Sequence, residues 1–446
     1  MRRHVYPFIF FLWYCTLPRN NPAFSGFTRN RRGGGLAPIE QAIIVDAFPP
    51  NKRASAFALY TVAIVAAPAI GPVLGGWITD NYNWRWVFLI NIPIGALSLF
   101  LTRHFVHDPL SFEEETRAFR NNGQLRIDWV GIALIVLGSA ALELFLDRGQ
   151  IDDWFGSKFI ICMFGICAVC LPIAILWELR QPSPIIDLNL LRVRNFAISN
   201  VFYFVFSFGL FASTAMIPEM MQSLYGYGAV NAGLVLWPGA FVIIVLAPVG
   251  AQLIQRGIIH PRLLLFGAGI IIGLAFIHYS RFNLATDYAH YALARAYQGI
   301  GYGFFLVSLS LISYSHLSPS QNNSASSLTN FFRNWGGSFG IAFVTTMTTR
   351  RQAFHQATVG ANLVSSSPFV QESIQQMSAY LRSHGFSHAD AVRAAYAHYY
   401  IRLGIQARFL GFMDSFHLLG LMTLAATPLI FVTKKFTASG KGTATH

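Results

Sequence analysis

The chain has 446 residues, of which 54% are hydrophobic and only 11% charged, where an ordinary soluble protein carries roughly 25% charged residues. With 40 phenylalanines, this composition excludes an ordinary soluble protein and reads as a polytopic membrane protein. The formal net charge of +13 does not point to nucleic acid, because Lys and Arg lie mostly between apolar runs, where they set topology. Cys162, Cys167 and Cys170 share one apolar segment, so with Cys15 they read as small buried residues rather than a disulfide framework or a metal site.

Residues 1–32 differ from the rest. Arg2, Arg3 and a short apolar core mimic a signal peptide with no convincing cleavage site. Gly33 to Phe48 has the length of half a spanning helix. Ten runs then meet the length of about 20 apolar residues that a span needs: 55–79, 85–103, 129–147, 157–178, 195–219, 227–254, 262–280, 289–315, 326–349 and 411–433. Basic residues fall in the connectors 49–54, 104–128, 179–194 and 255–262 and in the tail 434–446, while Thr79–Trp84 and 220–230 have none. The positive-inside bias makes the basic connectors and the C-terminus cytoplasmic. The long segment 350–410 then falls outside. In it, Ser387-x-x-Asp390 resembles a capping box, and Ala391 to Arg408 alternates at helical spacing.

Residues 67–95 say most. An uncharged run carries Ala67-Pro68 and Gly71-Pro72-x-x-Gly75-Gly76, and a short polar hairpin leads to Trp84-Arg85-Trp86 and Asn91-x-Pro93-x-Gly95. Pro68 and Pro72 remove two backbone donors and bend the helix. Gly71, Gly75 and Gly76 let a neighbouring helix approach closely. Trp84 and Trp86 suit an interfacial anchor.

Ionisable residues inside spans are functional candidates, because burying charge in a membrane costs free energy. They are Glu143, Asp147, Glu219, Arg295 and Arg333. Glu143 and Asp147 share a helix face. Asp147, beside Arg148 at a helix end, is expected in a salt bridge. The phenylalanines of the late helices (Phe202, Phe204, Phe206, Phe208, Phe211, Phe304, Phe305, Phe331 and Phe332) suit an aromatic cavity wall, but most are expected to be lipid-facing bulk. His384 and His388 are spaced to share a metal, yet no third ligand stands beside them. No His-Glu-x-x-His, Walker loop, Gly-x-Ser-x-Gly or dinucleotide fingerprint occurs.

These features recur in order along the chain. With them come Pro38, Gln41, Asp46, Asp128-Trp129-x-Gly131, Leu146-Asp147-Arg148-Gly149, Pro184-Ile185-Ile186-Asp187, Gln222-x-x-Tyr225-Gly226-Tyr227, Arg295-x-x-Gln298-Gly299 and Ser326 to Gly340 with Asn330 and Arg333. Together they resemble the fourteen-helix drug:proton antiporters of the EmrB/QacA type, a family of the major facilitator superfamily. The resemblance implies an all-α polytopic membrane protein with an N-terminally truncated major facilitator fold, about ten to eleven spanning helices remaining. Residues 1–32 would be an atypical leader, and 33–103 a remnant of the N-terminal bundle. A cytoplasmic loop and two extra central helices would fill 104–194, the C-terminal bundle 195–349, an outward segment 350–410, the last span 411–433 and a cytoplasmic tail 434–446.

In such a chain the family's first three helices and the acidic residue of its first helix have no counterpart. The expectation is therefore a truncated or frame-shifted product. By resemblance it is a multidrug efflux transporter of the bacterial inner membrane, exchanging protons for amphipathic or cationic compounds. The alternative is a non-transporting remnant. The proton-motive force replaces any cofactor. Partners would be the bilayer, small amphipathic drugs, a periplasmic adaptor (a membrane fusion protein) and an outer-membrane channel. Gln41, Gln222, Gln298 and Asn330 would face the cavity, and the 67–76 motif would close the substrate path.

Overall fold

The computed structural model describes residues 53–105, 128–181, 184, 186–315, 317, 321–362 and 368–433. The leader, the half-helix 33–48 and the tail lie outside them, as do Glu40, Gln41 and Asp46. All regular structure among the described residues is helical. In order come α1 (Arg53–Asn81), α2 (Trp86–Leu89), α3 (Asn91–Phe105), α4 (Trp129–Gly149), α5 (Lys158–Arg180), α6 (Arg194–Tyr225), α7 (Ala229–Leu234) and α8 (Trp237–Gln255). Then follow α9 (Pro261–Tyr279), α10 (Tyr288–Ser313), α11 (Asn322–Asn362), α12 (Pro368–Ser383) and α13 (His388–Ala426), which runs into a tighter turn over Thr427–Val432.

Local chemistry sets the helix ends. The Asp128 and Asp287 carboxylates accept the first free amides of α4 and α10, from Gly131 and His290. α6 stops at Gly226, whose φ of 71° is left-handed and suits a residue without Cβ. Pro238 follows the short break between α7 and α8, at a first-turn position where its missing N–H costs nothing.

Seven stretches among the described residues are long and apolar enough to cross a membrane: Trp129–Gly149, Lys158–Arg180, Arg194–Tyr225, Ala229–Gln255, Pro261–Tyr279, Tyr288–Ser313 and His388–Val432. Trp86–Leu101 is apolar but shorter. The expected run 85–103 is therefore broken near Ile90 into α2 and α3. The run 326–349 is the middle of α11, whose 41 residues form one helix about 60 Å long at 1.5 Å per residue. That is about twice the thickness of a bilayer's hydrocarbon core. α13 is also long, at 39 residues. The ends of α11 and α13 therefore project from the bundle together, with α12 laid against α13 and Val370, Ile374 and Ala395 packed between them. The Ser387 hydroxyl accepts the Asp390 amide at 3.2 Å, closing the cap expected at the start of α13.

α6 packs on α11, α8 and α9 on α10, and α11 and α9 on α13; α1 lies along α7 and α8, while α4 and α5 pair with each other. The main core lies among α6, α8, α9, α10, α11 and α13. Here the aromatic expectation is corrected. Phe202, Phe206, Phe208 and Phe305 are buried in this core, Phe204 and Phe304 pack against it, and only Phe211 of that set is exposed. Helix spacing explains it. Phe206 stacks on Phe305 with ring centres 3.7 Å apart, and the backbone at Phe204 and Phe208 sits directly over Gly336 and Gly340. A small-residue face on α11 draws α6 so close that the rings wedge between helices instead of meeting lipid.

Candidate functional site

The 67–76 motif lies in α1, which stays helical through Pro68 and Pro72. Gly76 makes the expected close approach: a Cβ there would stand 3.0 Å from the Ala229 carbonyl carbon and the Val230 nitrogen, at the start of α7. Gly71 and Gly75 do not. Among the described residues a Cβ at Gly71 meets nothing within 4 Å, and at Gly75 only Val87 at 3.9 Å. One glycine of three therefore sets the α1–α7 contact, since it is the one that faces α7. Ala67 belongs to the same helix. Trp84 and Trp86 are exposed, and Arg85 lies 4.9 Å over the Trp84 ring.

Arg295 and Gln298 sit on one face of α10, three residues apart, and both are buried. The guanidinium Nη1 donates to the Gln298 Oε1 at 2.5 Å and to the Ser213 hydroxyl at 2.9 Å, and Nη2 donates to the Thr214 hydroxyl at 2.8 Å. Ser213 and Thr214 come from α6, so the cluster joins two packed helices. Behind it α8 presses in: a Cβ on Gly239 would meet the Arg295 Cγ and carbonyl oxygen at 2.7 Å.

Arg333 and Asn330 repeat the pattern on α11, again three residues apart. Nη2 of Arg333 donates to the Asn330 Oδ1 at 2.5 Å, while Asn330 donates to the Ser326 carbonyl at 2.9 Å. Glu143 on α4 accepts from the Ser338 hydroxyl of α11 at 2.7 and 2.9 Å through its two oxygens. Glu219 accepts from Arg408 of α13 at 2.9 Å. These two line a crevice of about 60 Å³ with Met216, Thr348 and Phe412. Gln222 is exposed near the end of α6 and joins no cluster.

Asp147 departs from expectation. The ion pair at that helix end is Arg148 with Asp152, at 3.1 Å and one turn on. Neighbours in sequence point to different sides of a helix, while residues four apart meet.

Sequence reasoning missed Asp414, although it stands within the run 411–433. Its carboxylate accepts from Arg351 at 2.5 Å and contacts the His355 Nε2 at 2.7 Å, tying α11 to α13 where both leave the bundle. An acidic residue in an apolar run was the available signal. Ser213 and Thr214 gave a weaker one, a hydroxyl pair within a largely apolar span. Among the described residues no three His, Cys, Asp or Glu side chains stand close enough to hold a metal ion.

The sequence pattern of the Major Facilitator Superfamily matches residues 32–341. The chain is 34% identical over 345 residues to the multidrug export protein EmrB of Escherichia coli K12, covering 77% of this chain and 65% of that protein. It is 32% identical to the fatty acid resistance protein FarB of Neisseria gonorrhoeae, covering 83% of this chain and 71% of that one. To the probable multidrug resistance protein EmrY of Escherichia coli K12 it is 30% identical, covering 83% and 70% respectively. The chain thus spans about two thirds of the length of these relatives.

Proposed function

The chain belongs to the Major Facilitator Superfamily, and from that premise we propose that it is a multidrug efflux carrier and not an enzyme, set in the bacterial inner membrane with its C-terminus in the cytoplasm. It exchanges protons for amphipathic or cationic organic compounds, draws on the proton-motive force and uses no bound cofactor. The observation that carries the reading is a helical bundle whose sequence follows proteins named for multidrug export, and which holds Arg295, Arg333 and Glu143 within its spans, each of these on a polar partner from its own helix or a neighbouring one. Such groups persist in a membrane interior where they serve a substrate or ion path. Glu143, Glu219 and Asp147 are the proposed carboxylates for proton or drug charge. Arg295 and Arg333 are fixed charges along the path, and the 67–76 motif closes it.

The paired ends of α11 and α13 with α12 form the proposed docking surface for a periplasmic adaptor, which would lead to an outer-membrane channel. The test is ethidium efflux in everted membrane vesicles that carry the full chain. Extrusion into the vesicle lumen that collapses on adding a protonophore is expected. Extrusion that survives the protonophore would overturn the proton drive.

A further inference from the structure

Where α6, α11 and α13 meet, at the end of the bundle from which α11 and α13 project, lies the crevice of about 60 Å³, the room of a few water molecules. Its lining is graded. Glu219, Gln352 and Arg408 give it charge and polarity, while Met216, Val344 and Phe412 give it an apolar side. The two charges are paired but not used up. Glu219 Oε1 accepts from Arg408 Nη2 at 2.9 Å, the one hydrogen bond that either side chain makes among the described residues. The second carboxylate oxygen and the other guanidinium N–H groups remain available to a ligand. The side chains are 51% and 36% exposed, so the pair by itself contributes little and a ligand can share it.

From Glu219 an exposed stripe runs back along α6 into the span: Ala215 and Phe211, one and two turns away on the same face, are both exposed. In a bilayer this sets an opposite-charge pair at the polar boundary and an apolar track leading from it into hydrocarbon. The pair is neutral in sum, so it matches a zwitterion better than a simple ion. An ammonium suits the open carboxylate oxygen, and a phosphate suits the free guanidinium edge. The crevice has the size of a primary ammonium head and is too small for an aromatic drug ring. An amphipath that carries ammonium, phosphate and acyl chain in that order is a phospholipid with an ethanolamine head.

We propose that the crevice between α6, α11 and α13 binds the headgroup of a primary-amine phospholipid, with the ammonium on Glu219, the phosphate on Arg408 and an acyl chain along Ala215 and Phe211. The inference does not rest on the carrier reading above. It gives Glu219 a lipid partner in place of the proton or drug charge.

The test is native mass spectrometry of the purified full chain in a neutral detergent, titrated with dioleoylphosphatidylethanolamine. The phosphatidylglycerol and phosphatidylcholine of the same chains, soluble glycerophosphoethanolamine and decyltrimethylammonium serve as comparison probes. The ethanolamine lipid is expected to bind at least about tenfold more tightly than the glycerol and choline lipids. Glu219→Gln removes the ammonium's partner and should erase that preference, while Arg408→Lys should keep part of it. Thr345→Trp is the independent variant, because it fills the crevice from an exposed position in the lining and leaves both charges in place; it should erase the preference as well. Both Glu219 and Thr345 are exposed, so unfolding midpoints are expected to match the parent chain. Equal binding of the three lipids, or a preference that survives both Glu219→Gln and Thr345→Trp, overturns the proposal. Soluble glycerophosphoethanolamine binding as tightly as the lipid overturns the membrane part of it. Decyltrimethylammonium binding that Glu219→Gln abolishes, with the lipid preference intact, returns Glu219 to the drug path and overturns it too.

Discussion

α5 and α10 are opposite solutions to life in a bilayer. α5 is the more apolar of the two, and 11% of its spanning stretch is buried inside the molecule; α10 is the least apolar of the seven, and 67% of its stretch is buried. In water the apolar helix would be the hidden one. In lipid the order inverts, because hydrocarbon accepts Ile, Leu and Phe side chains without cost and punishes every polar group. α5 exposes Ile173, Ile175, Leu176 and Leu179, a surface suited to acyl chains. α10 encloses Arg295, Gln298, Ser308 and Ser310. The lesson is that in this fold apolarity marks the outside and polarity marks the working interior.

The sharpest way to break that contrast is to add bulk to a glycine on each side. Gly336 faces the Phe204 backbone, and any Cβ there collides with it; Gly165 on α5 has nothing within 4 Å. Gly336→Leu should destabilise the protein by about 3 kcal/mol, read as a lower thermal unfolding midpoint in detergent. Gly165→Leu should cause no fall, since leucine favours a helix over glycine. Equal falls would mean that α5 is packed by something the contrast leaves out.

A smaller effect is expected where the bundle meets the extension. Asp414 holds both Arg351 and His355. Its side chain is 31% exposed, so solvent screens part of the interaction. Asp414→Asn should cost about 1 kcal/mol and loosen the α11–α13 contact, seen as faster amide exchange in 350–362. Unchanged exchange there would remove Asp414 as the tie.

The smallest effect is at the exposed end of α10. Hydrogen bonds from the His290 side chain and then its backbone amide hold the Asp287 carboxyl below its ordinary value. A depressed carboxyl adds stability above its ordinary, unfolded value and loses it as pH falls through the lowered one. Asp287→Asn should therefore lower the unfolding midpoint slightly at neutral pH, with the difference from the parent chain shrinking as pH falls through the lowered value, which a pH series of unfolding midpoints will show.

Much of the fold was legible because apolar run length and capping chemistry act locally. The Ser387 cap and the α4 and α5 runs could be read directly. Other features depend on neighbours. Nothing in the Thr-Thr-Arg-Arg-Gln sequence after Met347 stops a helix, so α11 passes the point where hydropathy falls. A hydropathy boundary marks the edge of the membrane, not the end of a helix. The phenylalanines of α6 were misread because an aromatic residue looks the same whether it meets lipid or a glycine face on another helix. At the candidate site, Arg295 and Gln298 were visible as a spaced pair. Their partners Ser213 and Thr214 lie some eighty residues earlier in the chain and meet them only through the α6–α10 contact.

The most direct test of the account is reconstitution of the purified full chain into sealed vesicles with an imposed pH gradient, following ethidium and internal pH together. The account predicts ethidium movement that requires the gradient and is matched by protons flowing the other way. A helical, folded protein that moves ethidium equally with and without the gradient, or moves none at all, would contradict it.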